Sequence, residues 1–142
     1  MFKVMKRSLP YVAVFAMLAL SGLSGCDVYT VEPRYDVRDN LTGNYEMEEY
    51  SDTYNDISYY QIYVRKSAYA GEIYIDNFYA SDILVHASVS YDRIIIPYQE
   101  VNGYAIEGTG TIYGKTLSLT YSVKDFYNHA PADFCKSTAN RY

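Results

Sequence analysis

The side chains best suited to catalysis are few and isolated in this sequence. His86 and His129 stand far apart, and neither belongs to a His-x-x-x-His, Cys-x-x-Cys or His-Glu arrangement. Zinc sites and metalloprotease sites use ligands at such short spacings. The chain also has no Gly-x-Ser-x-Gly elbow and no P-loop. The sequence therefore predicts no catalytic residue, no metal ligand and no cofactor.

Carboxylates are plentiful, and one pair has a spacing that suggests chemistry. Glu46 and Glu48 share one face of a predicted strand, which places their Cα atoms about 7 Å apart. A retaining glycosidase needs two carboxyl groups about 5–5.5 Å apart across a cleft. The predicted domain is too small for a deep cleft, so a solvated acidic face is the simpler interpretation.

A second group of oxygen ligands lies between the first two predicted strands. Asp52, Asn55 and Asp56 offer oxygens of the kind that calcium prefers. They lack the glycine and the late glutamate of an EF-hand loop. A polar hairpin loop is therefore expected here, and a calcium site is the alternative.

Cys26 ends an N-terminal segment that has the layout of an export signal. The segment begins with three basic residues, continues with an apolar run over residues 11–20, and reaches the cysteine through small residues. The run holds roughly ten residues, whereas a membrane-spanning helix needs about 20. The segment therefore predicts a cleaved signal peptide rather than a transmembrane helix.

The residues Leu23-Ser24-Gly25-Cys26 resemble the bacterial lipobox. The resemblance implies that the Cys26 thiol receives a diacylglycerol, that cleavage falls after Gly25, and that the new amine is acylated. Two acyl chains suffice for stable attachment to a membrane, since each buried methylene contributes about 0.8 kcal/mol. An ordinary secreted protein with an unmodified Cys26 is the alternative.

The lipobox predicts a location in the cell envelope of a Gram-negative bacterium. Asp27, directly after the cysteine, acts as an inner-membrane retention signal in some of these bacteria. Because that rule does not hold in all of them, the outer membrane is favoured over the inner membrane.

The net charge of the chain argues against one class of binding partner. The formal charge of −5 becomes −8 for residues 26–142, because residues 1–25 hold three basic and no acidic residues. An acidic chain repels phosphate backbones, so no nucleic-acid partner is expected.

Cys135 is the remaining cysteine, and it has no partner within the chain once Cys26 is acylated. A buried free thiol is expected, because free cysteine behaves as a small apolar residue. An intermolecular disulfide or a reactive thiol is the alternative.

Tyrosine is the compositional signature, with 19 residues and no tryptophan. Tyrosine favours strands and combines an apolar ring with a polar tip. The bias is explained by half-buried packing on a β-sheet, or by an aromatic surface that binds a glycan or a protein.

Alternation of apolar and polar residues predicts seven or eight short strands between residues 41 and 124. The first strand places Tyr45, Met47 and Glu49 on one face. Asn102-Gly103 is the strongest turn signal, since a type I′ turn needs two positive φ angles. The fold class is therefore all-β, an antiparallel meander that forms a small barrel or sandwich. The predicted strands span residues 45–50, 59–66, 72–76, 82–89, 93–97, 98–101, 104–113 and 116–124.

Two features of these strands indicate local distortion. Pro97 cannot donate to a ladder, so it marks an edge, a bulge or a strand break. Gly108 and Gly110 lie on one face of one strand. They indicate a bend or a close packing contact, and close approach of a ligand is the alternative.

Four segments follow from these patterns. Residues 1–25 form the signal peptide, and residues 26–40 form the lipidated N-terminus and a tether that spans on the order of 20 Å. Residues 41–124 form the β-domain. Residues 125–142 form a tail that packs on the domain, with a helical turn over residues 133–136. Aromatic side chains of this tail are expected to cover one barrel end: Phe126, Tyr127 and Phe134.

The pattern Leu41-Thr42-Gly43-Asn44-Tyr45, followed by a meander of short strands, resembles the opening of lipocalin-like (calycin-like) domains. The whole layout is also similar to small surface lipoproteins of Gram-negative bacteria. The resemblance implies a β-barrel and, for a lipocalin, one small apolar ligand in its interior. Lipocalins usually carry Gly-x-Trp where this chain has Gly43-Asn44-Tyr45, and no ligand-binding residue is carried over.

Three functions are compatible with the sequence. The favoured one is a non-catalytic, lipid-anchored binding module whose partner is an envelope protein or a glycan. The second is a lipocalin-like carrier of an apolar ligand. The third is a hydrolase whose site is assembled from distant residues around His86 or His129. The absence of catalytic motifs and the small size of the domain favour the first.

Overall fold

Eight antiparallel strands form one closed barrel in which each strand pairs with the next and the last returns to the first. A computed structural model of the chain describes residues 34–142. The predicted signal peptide and the lipidation site Cys26 lie outside the described residues. The strands are β1 (Gly43–Ser51), β2 (Asp56–Lys66), β3 (Glu72–Phe78), β4 (Ile83–Ser90), β5 (Arg93–Val101), β6 (Tyr104–Tyr113), β7 (Thr116–Asp125) and β8 (Asp133–Arg141).

The structure thus confirms the all-β class and selects the barrel over the sandwich. The alternation that predicted the strands also decides which side chains fill the interior, because successive residues of a strand point to opposite faces. One apolar cluster fills the barrel along its length. Its fully buried large side chains include Tyr45, Met47, Ile62, Ile75, Phe78, Ile94, Ile106 and Leu117.

The two distortions predicted from sequence have clear outcomes. β5 is one continuous strand whose register shifts between Ile96 and Gln99, so Pro97 lies at a bulge. Gly108 and Gly110 lie where β6 packs closely on β7. A Cβ atom on Gly108 would lie 2.5 Å from the carbonyl oxygen of Thr120 and 2.5 Å from Cβ of Tyr121. These glycines therefore allow close packing between strands.

The prediction that residues 26–40 form a tether is wrong for the last four of them, residues 37–40. Val37–Asn40 form a 3₁₀ turn that packs on the barrel. The Arg38 guanidinium donates to the carbonyl oxygens of Ser67, Tyr69 and Glu72, in and next to the loop between β2 and β3. Leu41, directly after the turn, is buried in the core. The turn and Leu41 therefore cover one end of the barrel, which we call the closed end.

The predicted C-terminal tail is also wrong. Residues 133–141 form β8, which pairs with both β1 and β7 and closes the barrel. There is no helical turn at residues 133–136, and the β-domain extends beyond residue 124. Phe134 lies on the outer face and is exposed, as are Phe126 and Tyr127, so these rings do not cover a barrel end.

The opposite end of the barrel is formed by the loops over residues 52–55, 79–82, 102–103 and 126–132. We call it the open end because it contains a cavity. The tight turn at Asn102-Gly103 is confirmed, with φ angles of 47° and 84°. No helix within residues 34–142 has the length and the apolar character needed to cross a membrane.

We expect Gly108→Ala to destabilise the barrel by about 1–3 kcal/mol, because the added methyl group overlaps backbone atoms of β7 and forces the strands apart. Urea unfolding of the variant and the wild type measures this. Thr109→Ala, an exposed change on the same strand, is the control and should alter stability by less than about 0.5 kcal/mol. Equal stabilities of Gly108→Ala and wild type would show that the strand contact is not tight.

Candidate functional site

Two carboxylates lie inside the barrel near its open end. Glu49, on β1, is only 6% exposed, and Asp133, at the start of β8, is 4% exposed. Buried carboxylates are rare unless they are paired. Neither takes part in any ion pair found among residues 34–142. This pair is the clearest departure of the interior from an ordinary apolar core.

Four hydroxyl groups, from β1, β2, β7 and the loop between β3 and β4, satisfy these carboxylates. Tyr60 and Tyr121 both donate to Oε2 of Glu49. Ser51 donates to Oδ1 of Asp133, and Tyr79 donates to Oδ2 of the same residue at 2.7 Å. Bonds to ionised acceptors are the strong ones, so the network fixes both carboxylates in place.

Ser137 is the one side chain of this region that lacks a partner. It pairs directly with Glu49 across β1 and β8, so both side chains point into the barrel. Its hydroxyl oxygen is buried and has no hydrogen-bond partner among the described residues. An unsatisfied buried hydroxyl costs about 1–3 kcal/mol. The hydroxyl is therefore available for a further polar group beside Glu49.

Burial sets the protonation behaviour of this cluster. Desolvation raises the pKa of Glu49, the hydrogen bonds from Tyr121 and Tyr60 partly oppose that effect, and the nearby Asp133 carboxylate adds to it. Burial, together with Asp133, also raises the pKa of the Tyr79 hydroxyl. Two negative charges close together in a buried space repel each other. The arrangement is therefore more stable when Glu49 is protonated or when a cation lies between the two carboxylates.

A cavity of about 200 Å³ connects this cluster to the open end. Three carboxylates and two tyrosine rings line it, and no Lys or Arg does. The lining residues are Glu49, Ser51, Tyr54, Asp56, Ser58, Tyr79, Ala80 and Asp133. Negative charge and aromatic faces both attract cations. The cavity therefore has the chemistry of a site for a small cationic group.

The charge of the barrel is divided between its two ends. Six of the eight Lys and Arg residues in 35–142 lie at the closed end or the strand ends beside it: Arg38, Arg65, Lys66, Arg93, Lys115 and Arg141. Carboxylates dominate the open end and the strand ends beside it: Glu49, Asp52, Asp56, Asp82, Glu100, Asp125 and Asp133. The open end thus attracts positive charge.

The predicted carboxylate pair Glu46 and Glu48 lies outside the barrel. Both are exposed on β1 and line an open depression of about 600 Å³ on the outer face. Its other lining side chains include Tyr59, Gln61 and Thr138. The depression is larger than the cavity at the open end, but its two carboxylates, Glu46 and Glu48, face water. The solvated acidic face is the interpretation that this placement supports.

The structure also places the other candidates. Asp52 forms an ion pair with Lys136 at 2.8 Å, and the Asn55 side chain accepts from Tyr50. The loop over residues 52–55 is thus the expected polar hairpin. Across residues 34–142, no three His, Cys, Asp or Glu side chains lie close enough to hold a metal ion.

The two histidines do not meet. His86 lies on the outer face, where its Nε2 is 3.1 Å from Oε2 of Glu72. His129 is exposed in the loop over residues 126–132. The His86–Glu72 contact has the reach of an acid–base pair, but neither residue lines the open-end cavity.

Cys135 is free and buried, as predicted. Burial raises the pKa of its thiol, and the neighbouring Glu49 and Asp133 add to that effect. The thiolate is the reactive form of cysteine. Cys135 is therefore a poor nucleophile in the folded protein.

Sequence reasoning missed Asp133, Ser137 and the interior role of Glu49. The alternation did place Glu49 on the same strand face as Tyr45 and Met47. This position among inward apolar residues is the signal that Glu49 points into the barrel. Asp133, Cys135 and Ser137 also alternate, but these inward residues of β8 are small or polar, so hydrophobic periodicity does not detect the strand.

Comparison with protein-family models and with curated proteins gives no match to this chain. The site is therefore interpreted from its own geometry.

We expect Glu49→Gln to remove a pH dependence of stability. Because the pKa of Glu49 is raised above its ordinary value of 4.5, its contribution is present below about pH 4.5 and is lost as pH rises through the folded-state pKa. Glutamine keeps an acceptor for Tyr60 and Tyr121 and carries no charge. The variant should gain stability relative to wild type between about pH 5 and 8, by on the order of 1 kcal/mol.

Chemical denaturation at several pH values tests this expectation. Glu48→Gln, the exposed neighbour on the same strand, should keep the wild-type pH dependence. If Glu49→Gln follows the same pH curve as wild type, Glu49 does not titrate inside the barrel as described.

Proposed function

We propose that this protein is a lipid-anchored lipoprotein of the Gram-negative cell envelope, attached through Cys26, and that its barrel is a non-catalytic binding module. The order of basic residues, apolar run, small residues and Leu23-Ser24-Gly25-Cys26 supports the anchor. The buried acidic cluster at the open end supports the binding role.

The observation that carries the binding proposal is the pair of buried carboxylates, Glu49 and Asp133, that line the open-end cavity, with the unpartnered Ser137 hydroxyl opposite Glu49. Two buried carboxylates without a basic partner and one unsatisfied hydroxyl are costly for folding. Local departures from a well-satisfied interior are expected at functional sites. A cationic group in the cavity would supply the missing charge and donate to both carboxylates.

A lysine side chain of another envelope protein fits this site best. Its ammonium group is a compact charge with three donors, and the cavity of about 200 Å³ admits such a group with part of its stem. Tyr54 and Tyr79 line the cavity and offer aromatic surface for the methylene groups. We therefore propose a protein partner with a basic segment, in preference to a neutral glycan.

A lipocalin-like carrier is the second candidate, and the closed eight-stranded meander favours it. Eight strands leave room for side chains or one small ligand. In this barrel the interior is occupied by the apolar cluster around Tyr45 and Phe78, which leaves the polar open-end cavity as the space for a ligand. The binding module is therefore preferred.

The anchor is tested by cell fractionation and acyl labelling. The wild-type chain, produced in a Gram-negative host with labelled fatty acid, should appear in the membrane fraction and carry label. Cys26→Ser removes the thiol that accepts the lipid, so this variant should lose the label and leave the membrane fraction after a salt wash. Label on the Cys26→Ser chain, or release of the wild type by salt, would contradict the anchor.

The cationic site is tested by calorimetric titration of the protein with butylammonium, with butanol as the neutral match. We expect the amine to bind and butanol not to bind. Asp133→Asn should weaken amine binding by about tenfold, which corresponds to about 1.4 kcal/mol. Asp82→Asn changes an acidic residue of the open end that does not line the cavity, and it should have little effect. Equal binding of amine and alcohol would reject the site.

A peptide with one lysine distinguishes the source of the ammonium group. Tighter binding of the peptide than of butylammonium is expected for a protein partner. Tighter binding of the free amine would assign the site to a small molecule instead.

A further inference from the structure

We propose that the closed end of the barrel rests on the membrane surface, with its tyrosine side chains among the lipid headgroups. This inference rests on the proposed lipid anchor and adds an interaction surface to it. The occupant is the bilayer interface to which Cys26 is attached.

The two most exposed tyrosines of residues 34–142, Tyr91 and Tyr113, lie at this end, while Tyr59 and Tyr127, about as exposed as Tyr69, lie elsewhere. Each of the three strand connections at the closed end carries a tyrosine: Tyr69 in the loop between β2 and β3, Tyr91 in the turn between β4 and β5, and Tyr113 at the end of β6. Their side chains are 71%, 88% and 89% exposed. Tyr35 and Tyr142, at the same end, are exposed as well.

Exposure of five large rings at one end is costly in water and favourable at a membrane interface. Tyrosine is enriched at the boundary between headgroups and water, because its ring is apolar and its hydroxyl is polar. The core of the barrel does not need these rings, since they extend from turns rather than into the interior. Their placement therefore indicates a surface that they contact.

The charges of the closed end match an anionic bilayer. Arg93, Lys115 and Arg141 lie there and form no ion pair within residues 34–142. Of the acidic residues at this end, Asp36 and Asp39 pair with Arg38 and Lys66, Glu72 contacts His86, and Asp92 has no such partner among the described residues. A basic residue close to an anionic membrane surface is attracted to it. The same surface repels the acidic open end. Both effects therefore favour the orientation in which the closed end faces the membrane.

The length of the connecting chain brings this end to the membrane. The 3₁₀ turn packs on the barrel, so only the residues between Cys26 and Tyr35 separate the lipid from the folded part. These eight residues span at most about 29 Å even when fully extended. The chain enters the barrel at the closed end, which is therefore the end nearest the lipid.

The test places a polarity-sensitive fluorophore at each end of the lipidated protein in vesicles of phosphatidylethanolamine and phosphatidylglycerol. Lys115→Cys labels the closed end and Asp82→Cys labels the open end. Cys135 is buried, so the introduced cysteine is the site that reacts.

We expect emission from the closed-end probe to shift to the blue and to be quenched by lipids that carry a shallow nitroxide. The open-end probe should remain in water and resist quenching.

Tyrosine variants separate docking from simple tethering. The triple change Tyr69→Ser, Tyr91→Ser and Tyr113→Ser should reduce quenching of the closed-end probe at least severalfold while the protein stays in the vesicle fraction. The matched control changes Tyr59, Tyr98 and Tyr127 to Ser. These are exposed tyrosines away from the closed end, and the change should leave quenching unchanged.

The outcomes for the anchor and for docking are distinct. Anchored protein whose two probes are equally exposed to water, or whose open-end probe is the quenched one, overturns the docking proposal and leaves the anchor intact. If the protein carries no lipid, the proposed anchor fails. The closed-end probe is then measured on the Lys115→Cys chain that also carries Cys26→Ser, mixed with excess vesicles, where an unquenched probe overturns docking as well.

Discussion

The fold depends on the pairing of the first strand with the last. β1 and β8 pair from Tyr45–Arg141 to Ser51–Cys135, and this ladder closes the sheet. Large and small inward side chains are matched across it, with Met47 opposite Ala139 and Glu49 opposite Ser137. An eight-stranded barrel is just wide enough for side chains, so this matching lets side chains fill the interior up to the cavity at the open end. A filled interior directs binding to the two ends and the outer face.

The polar cluster follows from the same closure. Glu49 receives hydrogen bonds from Tyr60 and Tyr121, which are 11 and 72 residues away in sequence and adjacent only in the closed barrel. The network satisfies the carboxylates, but it leaves their charge uncompensated and one hydroxyl without a partner. A core built only for stability would place apolar residues of similar volume at these positions. The retained charge is what makes the open end acidic.

The sequence predicted most of the fold because most strands bury one apolar face. Leu117, Leu119, Tyr121 and Val123 alternate without exception, and β7 follows directly from them. β8 could not be predicted in the same way, since its inward residues are Asp133, Cys135, Ser137 and Ala139. The 3₁₀ turn escaped prediction for a different reason. Arg38 holds the turn through hydrogen bonds to carbonyl groups about 30 residues further along the chain. A local sequence pattern cannot reveal hydrogen bonds between residues so far apart.

The attachment of the 3₁₀ turn also determines how the domain bears mechanical force. A pull on the N-terminal segment reaches Arg38 first, and its bonds to the carbonyl oxygens of Ser67, Tyr69 and Glu72 pass the load to β2 and β3. Behind it, β1 is bonded on both sides, so tension along this strand shears two ladders at once rather than peeling one strand from an edge. A domain loaded in this way resists unfolding by a pull on its N-terminal segment, so the barrel moves as a rigid body under such a force.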